Sequence, residues 1–376
     1  MSVPRDTMAT SQDRETNMSD ALLAVGTRKG LFLARSAGGG PFEVEPIQFS
    51  TVGVHSVAID TRGDTPRLLA GIEYGHFGPS VMYSDDLGRS WQEAEKAPIA
   101  FPEKTGATLE KVWQLLPSPS EPGVVWAGTE PGALFRSEDG GITYTLVEGL
   151  WEHPHRPQWE PGGGGLCLHT ILSHPTDPKI MGVAISTGGF YRTTDGGLSW
   201  EAANQGIRAP FLPEGQQYPE FGQCVHKVGM HPARPERLFL QHHFGVYRSD
   251  DFGGSWTDIG SSLPSDFGFP VVVHPDRPDT LYVLPLHADM DRTPVGHRYQ
   301  VFRSDDAGET WQAHGEGLPQ SPVYASVLRD AMTASPAGIF FGTRDGSVYG
   351  SRDDGDTWSE VAAHLPDVLT VRAAVL

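Results

Sequence analysis

The sequence predicts an all-β protein folded as a seven-bladed β-propeller of four-stranded blades. A short motif, Ser/Thr-x-Asp-x-Gly-x-Ser/Thr-aromatic, recurs six times, and we call each copy a box motif. The central aspartates are Asp86, Asp139, Asp195, Asp251, Asp306 and Asp353. Successive copies are therefore 53, 56, 56, 55 and 47 residues apart, a period in the range of propeller blades.

The segments around each box motif predict the strands of a blade. In one repeat, residues 168–172, 180–186 and 189–192 form short β-rich runs before the box, and a fourth run begins at Trp200. Gly, Pro and Asp bound these runs, as they commonly bound strands. We therefore expect each box to occupy the turn between the third and fourth strands of its blade.

The two ends of the chain predict how the ring closes. Residues 22–27 and 30–35 are predicted to be second and third strands. A degenerate copy of the box motif follows at 36–42, in which Gly38 replaces the Asp. Residues 368–376 form a strand with no box after it. Pairing of these two ends would complete a seventh blade and remove an exposed sheet edge. We expect residues 1–19 to be a disordered tail, or an extension upstream of a start at Met18, and residues 20–376 to be one propeller domain.

Composition limits the classes of partner. The 45 glycines and 31 prolines among 376 residues favour many tight turns over long helices. The net charge of -19 and the lack of a basic run argue against nucleic acid or an anionic membrane as a partner. No apolar run approaches the roughly 20 residues that span a bilayer.

The cysteines and the N-terminus predict the compartment. Cys167 and Cys224 are the two cysteines, so the chain lacks the disulfide framework of small secreted domains. Its first residues are polar, without the apolar stretch of a secretory signal. A cytoplasmic location is therefore expected, and oligomeric state stays open.

Turn chemistry explains the composition of the box. We expect its Asp to accept hydrogen bonds from N–H groups one or two residues on, and its Gly to adopt a positive φ. The aromatic residue would bury a large apolar surface between strands. Six copies in equivalent turns suit a scaffold better than a single catalytic carboxylate.

These motifs resemble the Asp-box, or BNR, repeats of sialidases over residues 20–376. The nearest resemblance is to intracellular bacterial BNR-repeat propellers labelled glycosyl hydrolase or exo-sialidase. Similar repeats occur in photosystem II assembly propellers, sortilin-like receptors and xyloglucan-cleaving hydrolases, so the resemblance implies a fold rather than a reaction. Sialidases have six blades, an Arg-Ile-Pro motif and three substrate-binding arginines. This chain has no Arg-Ile-Pro, and Arg28, Arg329, Arg344 and Arg372 do not match that triad by motif, so sialidase activity is not expected.

Propeller geometry predicts which face carries function. Turns between strands one and two lie on the same face as the box motifs, the box face, and there His174, His231 and His274 beside prolines are expected to be structural. Loops between strands two and three, and between blades, lie on the opposite face. Binding groups commonly gather on loops at one face of a rigid scaffold. The opposite face is therefore the candidate functional face.

Three histidines stand at matching positions at the start of inner strands: His55, His169 and His226. Trp113, Pro270 and Tyr324 occupy the same register in other blades. Matching positions converge around the ring axis, so the three imidazoles are candidate ligands for a Zn, Cu or Fe ion. The alternative is channel-lining histidines bonded to water and backbone. Cys167 and Cys224 lie two residues before His169 and His226, on the same side of each strand. They are either soft metal ligands or thiols that pack in the core.

Candidate catalytic and substrate-binding groups complete the predicted site. Glu160 and Glu220, one blade apart, are a candidate acid/base pair of the glycosidase type, with His169 and His226 as further catalytic candidates. Arg372 is the candidate for holding an anionic substrate. The other candidate substrate-binding residues are Tyr324, Trp113, Trp159, His76 and His243.

Three functions remain open from the sequence. The first is a hydrolase or lyase, with or without a metal ion, that acts on a sugar-like or anionic small molecule. The second is a non-catalytic propeller that binds a protein or glycan through the opposite face. The third is an assembly scaffold.

Overall fold

The protein is a ring of antiparallel sheets. The computed structural model describes residues 19–287 and 290–376 and, within these ranges, contains seven sheets that form the blades of a propeller. The predicted tail at 1–19 lies, apart from residue 19, outside the described residues. The predicted seven-bladed all-β fold is confirmed.

The strands of the first four blades follow the chain in order. Blade one contains β1 (Ala21–Thr27), β2 (Gly30–Ser36) and β3 (Glu43–Val44). Blade two contains β4 (Gly53–Asp60), β5 (Arg67–Tyr74) and β6 (Gly78–Ser84). Blade three contains β7 (Lys111–Pro117), β8 (Val125–Glu130), β9 (Leu134–Ser137) and β10 (Thr145–Leu146). Blade four contains β11 (Leu168–Ser173), β12 (Met181–Ile185), β13 (Gly189–Thr193) and β14 (Glu201–Ala202).

The remaining strands complete the ring. Blade five contains β15 (Val225–His231), β16 (Arg234–His242), β17 (Gly245–Ser249) and β18 (Thr257–Asp258). Blade six contains β19 (Gly268–Val273), β20 (Leu281–Pro285), β21 (Val301–Ser304) and β22 (Gln312–His314). Blade seven contains β23 (Met332–Ser335), β24 (Gly338–Gly342), β25 (Val348–Ser351) and β26 (Ser359–Ala362), and β27 (Val368–Val375) returns to blade one.

Helical segments are short and lie between strands or blades. In the described part of the chain they are α1 (Glu148–Trp151) and three 3-10 turns at Glu103–Thr105, Arg156–Gln158 and Val295–His297. No helix among the described residues is both long enough and apolar enough to cross a membrane.

The chain ends close the ring as predicted. Strand β27 pairs antiparallel with β1, with Arg372 opposite Ala24, so blade one has the order β27-β1-β2-β3. Blade two departs from the four-stranded pattern, because its fourth strand is reduced to a single bridge between Tyr83 and Gln92. Strand β27 thus supplies the inner strand of blade one, and β1 is paired instead of exposed.

Each box motif is a turn folded around its carboxylate. In the first copy, Oδ1 of Asp86 accepts hydrogen bonds from the Ser84 hydroxyl at 2.7 Å and the Ser90 N–H at 2.8 Å, and Oδ2 accepts from the Ser90 hydroxyl at 2.6 Å. Gly88 adopts a φ of 85°, as expected. The bonded N–H lies four residues on rather than one or two, because the turn wraps fully around the carboxylate.

The aromatic residue of the box motif packs against the neighbouring blade. Trp256 of blade five is 5% exposed and meets Phe190 of blade four edge to face, with ring centroids 5.6 Å apart. Its indole N–H donates to the Ala203 carbonyl oxygen at 2.8 Å. This residue therefore contributes apolar burial and a hydrogen bond at an interface between blades.

The two faces of the ring are separated as predicted. On the box face, the Gly196 N–H of a box donates to the Lys179 carbonyl in the turn between β11 and β12, at 3.0 Å. His174, His231 and His274 lie in such turns, and each accepts a backbone N–H at Nδ1, as structural residues do. On the opposite face, loops between second and third strands approach the starts of inner strands.

Candidate functional site: a cationic cavity on the ring axis

The inner strands share one irregularity, which positions the side chains around the axis. In six blades the pairing between first and second strands shifts register near the start of the inner strand. At each shift the residues of the inner strand that have no partner on the second strand are His55, Trp113, His169, His226, Leu369, and Phe269 with Pro270. A β-bulge bends the strand and re-aims a side chain. The matching positions seen in the sequence are thus bulge positions.

A cavity of about 610 Å³ opens where these bulges meet. Its walls include the bulge residues His55, Trp113 and His226, and every blade contributes to them. Ser186 and Thr187, which follow β12, also line it. The cavity therefore lies at the mouth of the central channel, on the face opposite the box motifs.

The lining of the cavity is cationic although the protein is acidic. The chain has 28 Lys and Arg against 47 Asp and Glu. Among the described residues, five cationic side chains and a single carboxylate, Asp330, line the cavity. The cations are Arg28, Lys111, Arg292, Arg329 and Arg344. Clustered charge of one sign in a cleft concentrates ligands of the opposite sign, so this cavity favours an anion.

Arg329 differs from three of the other cations in the partner of its charge. Arg28 and Arg344 both form ion pairs with Asp367, and Lys111 lies 3.5 Å from Glu130. For Arg329, no carboxylate within the described ranges stands within ion-pair distance. Its guanidinium instead lies 5.4 Å from the Trp113 ring centroid and 3.7 Å from Cys167 Sγ. These neighbours hold the guanidinium in place without neutralising it.

A buried ion triad of Lys227, Asp330 and Arg372 joins three blades. Asp330 Oδ1 accepts from Lys227 Nζ and from Arg372 Nη2, each at 2.7 Å. Burial opposes the charged carboxylate, but the two cations hold the pKa of Asp330 below its usual range. Burial lowers the pKa of Lys227, which Asp330 counteracts. Arg372 is therefore committed to this triad and does not line the cavity, which corrects its predicted role in holding an anionic substrate.

His55 forms a dyad with Glu73 at the cavity wall. Its Nε2 lies 2.7 Å from Glu73 Oε2. Burial, together with Lys111, lowers the pKa of His55 to about 4 against the opposing effect of Glu73. His55 is therefore neutral at neutral pH, with its ring oriented by a carboxylate.

The three predicted metal-binding histidines do not form one cluster. His169 is fully buried, with Nδ1 3.0 Å from the Thr170 hydroxyl and Nε2 3.0 Å from the Val225 carbonyl oxygen. It links blade four to blade five and is absent from the cavity wall, so its predicted roles in metal binding and catalysis are not supported. Burial lowers its pKa well below the usual range.

A different group of ligand-type side chains is assembled instead. Among the residues that the structure describes, Cys224, His226 and His243 have donor atoms that all lie within 4.8 Å of one another. All three line the cavity. Burial raises the pKa of Cys224, with Arg329 and Arg292 opposing it, and burial lowers that of His226. Strand alternation in the sequence places Cys224 and His226 on the same side of one strand. His243 lies beside them because β15 and β16 pair in the observed register, which the sequence did not reveal.

The predicted catalytic carboxylates lie outside the cavity. Glu160 and Glu220 are exposed and belong to segments between blades that run over the rim of the ring. Neither contributes to the cavity wall. The structure therefore does not bring this pair to the axis.

The predicted substrate-binding residues divide into two groups. Trp113 and His243 line the cavity. Trp159 is 5% exposed and donates its indole N–H to the Tyr191 hydroxyl at 2.9 Å, so it is a core residue. His76 is exposed on the hairpin between β5 and β6.

Tyr324 is 63% exposed and also lies away from the cavity. The predicted register in blade seven was wrong, because the inner strand β23 begins only at Met332. Leu328 and Arg329 line the cavity from this blade instead.

Comparison with known proteins agrees with this architecture. The family model described as BNR-Asp box repeat matches residues 246–259. The chain is 25% identical over 328 residues to a xyloglucanase of Acetivibrio thermocellus, which covers 76% of this chain and 37% of that protein. It is 27% identical over 308 residues to a xyloglucanase of Hypocrea jecorina, covering 73% and 33%. The chain thus spans about a third of the length of these relatives.

Solved structures share the fold. A GH74 xyloglucanase from Xanthomonas campestris superposes with a TM-score of 0.60 at 16% identity, covering 91% of this chain and 53% of that one. YCF48 bound to D1 peptide superposes with a TM-score of 0.50 at 14% identity, covering 82% and 81%. The resemblance to Asp-box β-propellers, drawn from the box motifs, is confirmed.

Proposed function

We propose that this protein is a carbohydrate-active propeller of hydrolase or lyase type, and that its cavity binds a small acidic sugar. The cationic lining of the cavity carries this proposal, because it is the reverse of the charge of the whole chain. The names of the relatives, which are xyloglucanases, support a carbohydrate as the class of ligand. The lining adds an anionic group, a carboxylate or a phosphate, to that class.

The dimensions and surfaces of the cavity suit such a ligand. Its volume of about 610 Å³ is within the roughly 300 to 1,000 Å³ typical of small-molecule sites. Trp113, Phe244 and Phe269 give it apolar surfaces on which the C–H faces of a sugar ring can pack. Arg329 provides the charge that would meet the acidic group, with planar donors suited to two oxygens at once.

His55 is the proposed general base. A neutral imidazole oriented by a carboxylate can take a proton from water during hydrolysis, or from the carbon beside a carboxylate during elimination. The dyad of His55 and Glu73 meets both requirements at the cavity wall. Paired-carboxylate chemistry has no support here: among the described residues Asp330 alone supplies a carboxylate to the lining, and its charge is taken by the buried ion triad.

Matched pairs of acidic and neutral sugars test the class of ligand. Oligogalacturonate and galactose oligomers, and glucuronate and glucose oligomers, would be titrated calorimetrically and incubated with the protein. New reducing ends report hydrolysis, and absorbance of an unsaturated product reports elimination. We expect acidic members to bind and to be converted. Equal binding of neutral members, or binding of neither, would refute the acidic-sugar proposal, whereas binding without conversion would favour the non-catalytic propeller.

Variants then test the proposed base. His55→Gln should lower turnover strongly while the acidic sugar still binds, and His76→Gln, outside the cavity, should do neither. If turnover falls in Glu160→Gln and Glu220→Gln but not in His55→Gln, the carboxylate pair is the catalytic group and the role of His55 is wrong.

A further inference from the structure

We propose that Cys224, His226 and His243 form a zinc site in the wall of the cavity. Cys224 Sγ lies 3.7 Å from Nε2 of His226 and 3.7 Å from Nδ1 of His243. Tetrahedral zinc, with Zn–S near 2.3 Å and Zn–N near 2.05 Å, requires a sulfur–nitrogen separation of about 3.6 Å. The sulfur therefore stands at about the distance that zinc needs from both nitrogens, and the donor atoms of the three side chains all lie within 4.8 Å of one another.

The surroundings of His226 orient it as a ligand. Its Nδ1 lies 2.6 Å from the Gly268 carbonyl oxygen, so Nδ1–H donates to that oxygen and Nε2 keeps its lone pair. Nε2 is the atom that faces Cys224. A metal-binding histidine typically donates its other ring N–H to a carbonyl or carboxylate in this way. The bulge of β15 at His226 allows the ring to reach this carbonyl in blade six.

The remaining elements bring the other two ligands to the same point. Cys224 immediately precedes β15, and His243 immediately follows β16. The His243 N–H donates to the Cys224 carbonyl oxygen at 3.0 Å, which fixes the two backbones side by side. All three ligands thus depend on one hairpin, a rigid element of the scaffold.

Among the described residues three side chains of ligand type are grouped here, so a tetrahedral zinc ion held by them would have its fourth position open. All three residues line the cavity, so that position faces the space in which a ligand would bind. A thiolate and a zinc ion together carry one positive charge, which adds to the nearby Arg292 and Arg329. The open position would therefore favour an anion or a water molecule that loses a proton readily.

Zinc binding is measured without any sugar, so its result is separate from the test of the acidic-sugar proposal. Protein treated with chelator would be titrated with zinc and with magnesium, and the bound metal would be quantified after desalting. We expect about one zinc per chain and no retained magnesium, since thiolate and imidazole prefer zinc. Cobalt substitution should add a thiolate-to-cobalt charge-transfer band in the near ultraviolet.

Variants locate the ion. Cys224→Ser should remove the charge-transfer band, and both Cys224→Ser and His243→Ala should weaken zinc binding at least about 10-fold. Cys167→Ser is the matched control, because Cys167 lies at the same position in blade four but outside the group. Melting temperatures of the chelated variants would confirm that each is folded. Absence of stoichiometric zinc in the parent, or zinc affinity unchanged in both Cys224→Ser and His243→Ala, would overturn the proposal.

Discussion

Replacement of Asp330 by Asn should destabilise the whole ring. The substitution keeps the shape of the side chain but removes the charge that two largely buried cations share, Lys227 at 2.7 Å and Arg372 at 2.7 Å. Asp330 is 3% exposed, and its second oxygen has no hydrogen-bond partner. Since these contacts join blades five, seven and one, their loss affects the closure of the propeller.

The expected loss of folding stability follows from the free-energy cost of leaving a buried charge unpaired. Removal of one partner from a buried ion pair costs about 3 to 5 kcal/mol, and because Asn still offers an oxygen acceptor we expect about 3 kcal/mol. For a chain of 376 residues, the typical unfolding entropy converts this to a melting temperature about 4 °C lower.

Differential scanning calorimetry of Asp330→Asn beside the parent measures this shift. Asp276→Asn is the control, since Asp276 is an exposed aspartate in the turn after β19. Asp330→Asn should melt lower and the control should not. Equal melting temperatures for the parent and Asp330→Asn would refute the stabilising role of the buried ion triad.

Two further predictions concern the box motifs. Trp256→Ala should lower the free energy of unfolding by about 3 to 5 kcal/mol, as large core truncations do, whereas Leu198→Ala at an 80% exposed side chain should change it little; equal urea midpoints for the two variants would contradict the core role of the box aromatic residue. Hydrogen bonds from Ser90, and then from Ser84, lower the pKa of Asp86 to about 2. The stability from this depressed pKa is present above the ordinary value near pH 4 and is lost as pH falls towards 2. Asp86→Asn should therefore be less stable than the parent at pH 7, with the difference shrinking on acidification; a constant difference would be inconsistent with that pKa.

The scaffold could be predicted from the sequence because its signals are local. Each box motif is a self-contained turn, so its spacing measures the blades. The apolar C-terminal segment predicted the strand β27, which pairs with β1. Alignment of the repeats also indicated the positions that are bulges in blades two to six, which are His55, Trp113, His169, His226 and Pro270.

The site was harder to predict because it depends on contacts between blades. His55 and His169 occupy the same position in their strands, yet His169 turns to the Val225 carbonyl and leaves the cavity wall. Arg372 was predicted to bind an anionic substrate, but its guanidinium is paired with Asp330, which comes from another blade. Arg329 carries no motif, and blade seven begins its inner strand late, so nothing local distinguished it. The cytoplasmic location stays a prediction.

The most direct test of the central claim is calorimetric titration of Arg329→Gln with the acidic sugar that the parent binds. Loss of one charge-assisted contact should weaken binding about 10- to 100-fold. Arg89→Gln, at an exposed arginine in the first box motif, should bind as the parent does. Equal affinities for the parent and Arg329→Gln would contradict the assignment of the cationic cavity as the ligand site.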